Sequence, residues 1–168
     1  MLERLYILLI VLLTATACIE EKTSGSSLIE AGDVVPGFAV YTADSTLVSN
    51  NSLKGHRAVI VFFNTSCADC RRELPCVDSL YRAMKDEPEF KLVCIARDEE
   101  KPSIERFWKE KGLTMPYAPQ SGRDVYNLFA KSIIPRIYIC TREGVVRFIF
   151  GDRDMPSFET LHNTINAL

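Results

Sequence analysis

The most constraining feature of this chain is a run of six apolar residues, Ala58 to Phe63 (A-V-I-V-F-F), followed four residues later by Cys67-Ala68-Asp69-Cys70. The run is too short for a helix and rich in β-branched and aromatic residues, so it reads as a central strand buried on both faces. Beyond it, Leu74, Val77, Leu80, Tyr81 and Met84 recur at helical spacing. A helix is therefore expected from about Ala68 to Lys85, with Pro75 kinking it. A buried strand that runs into a helix, with two cysteines at the junction, dictates an α/β arrangement around that junction.

The remaining elements follow from the same reasoning. Phe38 to Tyr41 and Thr46 to Ser49 are short strands with Asp44-Ser45 turning between them, and Leu53-Lys54-Gly55 closes this piece. Phe90 to Ala96 is a second buried strand. Ile104, Phe107, Trp108 and Lys111 outline a helix that Pro102 opens and Gly112 stops. Val125, Leu128 and Phe129 outline another. Arg136 to Cys140 and Val145 to Phe150 form a hairpin across T-R-E-G, and Asp154 is placed to cap a last helix carrying Phe158, Leu161 and Ile165. Alternating strands and helices imply parallel pairing, and the late hairpin adds antiparallel strands. The expected fold is α/β: a central mixed sheet flanked by helices, preceded by an N-terminal β-hairpin.

The two cysteines carry the chemistry. At a helix N-terminus Cys67 faces backbone N–H donors and the positive end of the helix dipole, which favours a thiolate. A thiolate is the nucleophile of disulfide exchange, so Cys67 is the natural attacking residue and Cys70, one turn further in, the resolving one. A structural disulfide here would close too small a loop to add much stability. A zinc site usually needs four ligands, and Cys76, Cys94 and Cys140 are scattered singly. A structural disulfide or a metal site stays as the alternative to a catalytic pair. Cys94 and Cys140 lie within apolar strands and read as small buried hydrophobes. Cys76 is off the apolar stripe of its helix and is a candidate regulatory thiol. His56 precedes the buried strand and Cys67 follows it, which separates them by about 20 Å. No Cys–His dyad is available, which argues against a cysteine protease. His162 is expected to face solvent.

The N-terminus is an address. Tyr6 to Leu13 (Y-I-L-L-I-V-L-L) is far shorter than the roughly 20 residues of a spanning helix. Thr14 to Ala17 are small or polar, as at a signal cleavage site, and A-T-A-C ending at Cys18 resembles a bacterial lipobox. Residues 1–17 are expected to be a lipoprotein signal peptide, with a plain signal peptide or a membrane anchor as the alternatives, Cys18 the lipidated residue, 18–33 a flexible tether, and 34–168 the folded domain. This places the domain in the cell envelope, outside the cytoplasm and facing the periplasm. The net charge of −2 offers no basic excess for a nucleic-acid partner.

With strand, C-x-x-C and helix in place, the chain resembles the thioredoxin superfamily, and within it the membrane-tethered TlpA-like reductases. The resemblance spans roughly Val35 to Leu168. It rests on P-G-F at Pro36 to Phe38, on S-L-K-G-H-R-A-V-I-V-F-F, and on C-A-D-C-R-R-E-L-P at Cys67 to Pro75. It rests also on I-I-P at Ile133 to Pro135 and on G-V-V-R-F at Gly144 to Phe148. It implies that Cys67 is the nucleophile and Cys70 the resolving thiol, and that Ile134-Pro135 is the substrate-binding cis-Pro loop. Glu73 resembles an acidic residue that tunes thiol acidity or moves protons in some members; a solvated glutamate in the first turns of the helix is the alternative. Asp69 opposes a Cys67 thiolate, whereas Arg71, Arg72 and the helix dipole favour it.

The chain departs from the family where Ser66 stands in place of a Trp, where Ala68-Asp69 separates the cysteines without a Pro, and where Arg136 follows Pro135 in place of a Thr. The acid of thioredoxin's own buried strand is missing from Ala58 to Phe63. A peroxiredoxin would carry a Pro and a Thr or Ser set before its Cys; Thr65 is one residue too close and no Pro is near. The resemblance thus implies an extracytoplasmic thiol–disulfide oxidoreductase with no cofactor. Its partners would be protein disulfide substrates and a membrane electron donor. A copper-carrier-like metal-binding module on the same fold is the alternative, since a soft monovalent ion needs only two thiolates.

Overall fold

The computed structural model describes residues 27–168; the expected signal peptide and Cys18 lie outside them. Strands β1 (Ala39–Tyr41) and β2 (Leu47–Ser49) form the N-terminal antiparallel hairpin, with Tyr41 opposite Leu47. A single helical turn, α1 (Asn50–Leu53), follows where the sequence reads only as a closing turn. Ser49 caps it in a reciprocal capping box with Ser52.

The central sheet has the order β5-β4-β3-β6-β7. Strand β3 (Arg57–Phe63) is its middle. It runs parallel to β4 (Phe90–Ala96), with Val61 opposite Cys94, and antiparallel to β6 (Arg136–Cys140), with Ala58 opposite Cys140. Every residue of β3 after Arg57 is buried, as its unbroken apolar run requires. Consecutive strand residues face opposite sides, and β3 makes use of both. Phe62 meets Tyr126, Phe129 and Tyr138 at centroid distances of 5.4, 4.9 and 6.1 Å, while Phe63 meets Trp108 at 5.0 Å. The helices carrying these partners, α3 (Lys101–Lys111) and α4 (Tyr126–Phe129), therefore cover opposite faces. Trp108 belongs to this core, its indole N–H donating to the Met115 carbonyl at 3.0 Å.

Helix α2 (Ala68–Met84) leaves β3 through the loop that holds Cys67, and runs on through Pro75 without ending. It buries Cys70, Glu73, Leu74, Val77, Asp78, Leu80 and Met84, and packs against α5 (Phe158–Asn166). Gly112 stops α3 in the left-handed conformation, φ +63°, as a C-terminal glycine does. In the hairpin from β6 to β7 (Val146–Phe150), Gly144 takes φ +79° and its N–H donates to Thr141.

Three further details differ from the sequence reading. Strand β5 (Tyr117–Ala118) was not expected; its two residues carry too little periodicity to be read, and it exists because β4 offers a free parallel edge. Helix α5 is capped by Ser157, whose hydroxyl accepts from the Thr160 N–H; Asp154 sits too early and instead accepts from the Gly151 N–H at 2.6 Å. Residues 27–33, expected in the tether, are hydrogen-bonded to the domain. Leu28 and Ile29 N–H donate to the Phe129 carbonyl, and Gly32 N–H donates to the Val146 carbonyl. Small polar residues read as a linker, but their backbone groups found partners on the domain surface.

Candidate active site

The loop from β3 into α2 is built by local hydrogen bonds. The Asn64 side chain accepts from the Ser66 N–H at 2.8 Å and donates to the Arg97 carbonyl at 3.0 Å. Cys67 N–H donates to the Asn64 carbonyl, and Cys67 itself is the N-cap of α2 with extended backbone. The sequence reading placed it there, and its own side chain makes no capping hydrogen bond.

Cys67 is half-buried, and its Sγ lies 3.5 Å from the Ile134 carbonyl oxygen. The Ile134–Pro135 bond is cis, and Ile133 before it has φ +73°. The Ile133 carbonyl accepts from the Tyr126 hydroxyl at 2.8 Å. The structure thus brings together two segments 67 residues apart, Cys67 and the Ile134-Pro135 loop, as the resemblance implied.

Cys70 is fully buried, and both it and Cys67 are free thiols. Burial pushes the Cys70 thiol far above the ordinary thiol range, with Cys67 adding to the rise; a backbone bond at Asn64 and the Arg97 charge oppose it. The pair is therefore asymmetric. One sulfur meets the solvent edge and the cis-Pro loop, and the other is held protonated behind it.

The charges around the pair are arranged in ways that spacing alone left open. Asp69 is paired with Arg72 at 2.7 Å on the exposed face. Arg71 turns to the Thr65 carbonyl at 3.5 Å and stacks over Phe107 at 5.1 Å. Glu73 is buried, so it is not a solvated helix glutamate; its Oε1 has no hydrogen-bond partner among the described residues. Burial raises it from an ordinary 4.5 to about 7, against the pull of Arg72. Its charge is felt by Cys76, a half-buried thiol whose Sγ is 3.5 Å from the Pro156 carbonyl. Burial first, then Glu73 and Glu159, push Cys76 up to about 11. Cys94 and Cys140 are buried core thiols, as read from sequence, and burial pushes Cys140 up to about 12. His56 contacts the Lys54 carbonyl just before β3, and His162 is half-buried and stacks on Phe158. Among the described residues, no group of three or more His, Cys, Asp or Glu is placed to hold a metal ion.

Sequence reasoning missed Glu99 and Tyr126. Each acts on the site through a partner distant in the chain or through its own hydroxyl, and neither lies in a motif.

The sequence pattern of the AhpC/TSA family matches residues 31–149. The chain belongs to the AhpC/TSA family. Relatives narrow its place within that family. The thiol-disulfide oxidoreductase ResA of Bacillus subtilis is 25% identical over 129 residues, 76% of this chain and 72% of the relative. ResA of Bacillus anthracis is 24% identical over 132 residues, 78% of this chain and 76% of the relative. Among solved structures, a Bacteroides thetaiotaomicron protein described as a protein disulfide isomerase superposes with TM-score 0.78 at 27% identity. That likeness covers 84% of this chain and 91% of the other. A thioredoxin-family thiol:disulfide interchange protein from Chlorobium tepidum superposes with TM-score 0.70 at 22% identity, covering 82% and 97%, and shares the fold. The AhpC/TSA chain described here is thus of the thioredoxin-like thiol–disulfide oxidoreductase kind.

Proposed function

We propose that this protein reduces disulfides of envelope proteins outside the cytoplasm, held to the membrane by a lipid on Cys18. The observation that carries the exchange chemistry is the placement of Cys67 Sγ at 3.5 Å from the Ile134 carbonyl, with Cys70 buried behind it. A substrate strand laid along the Ile134-Pro135 loop would bring its disulfide to Cys67.

In that reading the Cys67 thiolate attacks one sulfur of the substrate disulfide. A mixed disulfide forms, and the other substrate sulfur leaves as a thiolate and takes up a proton. Cys70 then loses its proton and attacks Cys67 Sγ. The second substrate sulfur leaves, and Cys67–Cys70 is oxidised as the substrate gains two electrons and two protons. Burial keeps Cys70 protonated until this step, which protects the mixed disulfide from premature resolution. Glu73, one turn beyond Cys70 and titrating at about 7, is suited to take up or return a proton near neutral pH. A membrane dithiol donor returns the pair to its reduced form. The leader at residues 1–17, the lipobox-like Ala15-Thr16-Ala17-Cys18 and the polar stretch after it support anchoring in the envelope, with the domain working at the membrane surface.

Two measurements test the reading. Equilibration of the purified protein in thiol buffers, followed by alkylation and mass spectrometry, is expected to give a reversible two-electron couple of low potential at Cys67–Cys70. A Cys70→Ser variant is expected to trap substrates as mixed disulfides, and Cys67→Ser is not. Equal trapping by both variants would refute the roles, and the absence of a reversible couple would favour metal binding. Fatty-acid labelling that persists in Cys18→Ala would refute the anchor.

A further inference from the structure

Glu99 lies at the corner between β4 and α3, outside the cysteine motif and the cis-Pro loop. Its backbone is fixed: its N–H donates to the Gln120 carbonyl at 2.7 Å and its carbonyl accepts from the Gln120 N–H at 3.1 Å. Asp98 before it takes φ +59°, a conformation Asp tolerates better than most residues, so the corner is tight. From this fixed point the Glu99 carboxylate reaches across to the loop in front of Cys67. Its Oε2 accepts the Thr65 N–H at 2.7 Å and its Oε1 accepts the Thr65 hydroxyl. Thr65 is buried, so both donors need partners within the protein.

The same corner touches the opposite wall of the site. The Arg97 guanidinium lies over the Tyr126 ring at 5.2 Å, and the Tyr126 hydroxyl holds the Ile133 carbonyl. Ile134, next in the chain, presents its carbonyl to Cys67. Residues 97–99 therefore bind the nucleophile's loop on one side and, through Tyr126, reach the cis-Pro loop on the other. Ser66, small and exposed, supplies no apolar wedge of its own beside Cys67. The carboxylate bonds to Thr65, which are stronger than neutral ones, join the Asn64 bonds in holding this loop.

We propose that Glu99 is a positioning residue for disulfide exchange, setting where Cys67 stands relative to the Ile134 carbonyl by gripping Thr65. This rests on the reading of Cys67 as the nucleophile. A misplacement of about 1 Å in a reacting group can cost as much as a hundredfold in rate. Losing the grip altogether is expected to cost about tenfold, because the Asn64 bonds to Arg97 and Asp98 remain.

The test compares Glu99→Ala, Glu99→Gln and Thr65→Val with wild type, using the purified full chain. It measures the rate of reduction of a model protein disulfide, the pH profile of Cys67 alkylation, the Cys67–Cys70 reduction potential and the melting temperature. Glutamine can still accept the Thr65 N–H and donate to its hydroxyl, so Glu99→Gln is expected within about twofold of wild type. Glu99→Ala is expected to slow exchange about tenfold and to shift the alkylation profile and the potential. Thr65→Val, which keeps the N–H bond, is expected to fall between them. Wild-type rate and profile in Glu99→Ala would overturn the proposal. So would a Glu99→Gln as impaired as Glu99→Ala, which would assign the effect to charge, or a loss that follows only the melting temperature. If Glu99→Ala does not fold, a Thr65→Val with wild-type rate and profile overturns the proposal by itself. A wild-type protein without a reversible couple would instead overturn the proposed function, and this inference with it.

Discussion

Replacing Glu73 by glutamine isolates the energetic consequence of burying a carboxyl beside the cysteine pair. Glu73 is only 5% exposed, one of its oxygens has no hydrogen-bond partner among the described residues, and its ionisation is displaced from 4.5 to about 7. A raised folded-state value for an acid means that the folded protein binds the proton more tightly than the unfolded chain. Between pH 4.5 and about 7 the unfolded state therefore holds fewer protons, and stability falls as pH rises through that window. At about 1.4 kcal/mol per unit of displacement, the full penalty above pH 7 is roughly 3 kcal/mol, with about 2 kcal/mol a reasonable expectation after relaxation. Glutamine has the same shape and cannot ionise. The Glu73→Gln protein is thus expected to be more stable than wild type by about 2–3 kcal/mol at pH 8 and to match it below pH 4.5. With a urea slope of about 1–3 kcal/mol/M, the midpoint at pH 8 should rise by roughly 1 M or more. Urea titrations of both proteins at pH 4, 6 and 8 check this, and the difference between them cancels every other titrating group. A Glu73→Gln protein no more stable than wild type at pH 8, or a gain that does not change with pH, would refute the reasoning.

Asp78 should behave in the opposite sense. Its carboxylate accepts from the Thr114 and Met115 N–H groups at 2.6 and 2.9 Å and from Arg82 at 2.6 Å. Burial alone would raise it, but these bonds outweigh burial and hold it below its ordinary value of 3.8. Its contribution is therefore present above pH 3.8 and lost as pH falls through the folded value, and Asp78→Ala, which leaves the buried Met115 N–H without its acceptor, is expected to cost about 1–3 kcal/mol at pH 7 by denaturant unfolding. In the reduced native protein, iodoacetamide followed by peptide mapping should modify half-buried Cys67 well before the fully buried Cys94 and Cys140, which should react only after unfolding. Early labelling of Cys94 would contradict the core position of β4.

Much of this protein was legible in the order of its residues. The strand Ala58 to Phe63 could be read because a strand buried on both faces must be apolar at every position, and β3 is so buried. Cys67 and Cys70 could be placed because one strand end and one helix start are local events, and Gly112 could be read as a stop because its φ of +63° suits glycine. The two residues of β5 could not be read, because their pairing depends on β4 and not on any pattern of their own. Nor could the docking of residues 27–33, whose backbone groups chose partners near Phe129 and Val146.

The division follows the range of the forces involved. Period, capping and backbone preference act over a few residues, so the sequence by itself determined most of the elements, the core strand and the place of Cys67 and Cys70 at the start of the helix that follows it. Burial and electrostatics depend on what arrives from elsewhere in the chain. Only the tertiary structure decided that Glu73 is buried and raised while Asp69 is paired with Arg72 on the surface, although both lie on the same helix. It alone decided that the Ile134 carbonyl faces Cys67, and that Glu99, 34 residues away, grips Thr65. A carboxylate's partner and its distance from water are set by packing, and packing is where residues remote in sequence first meet.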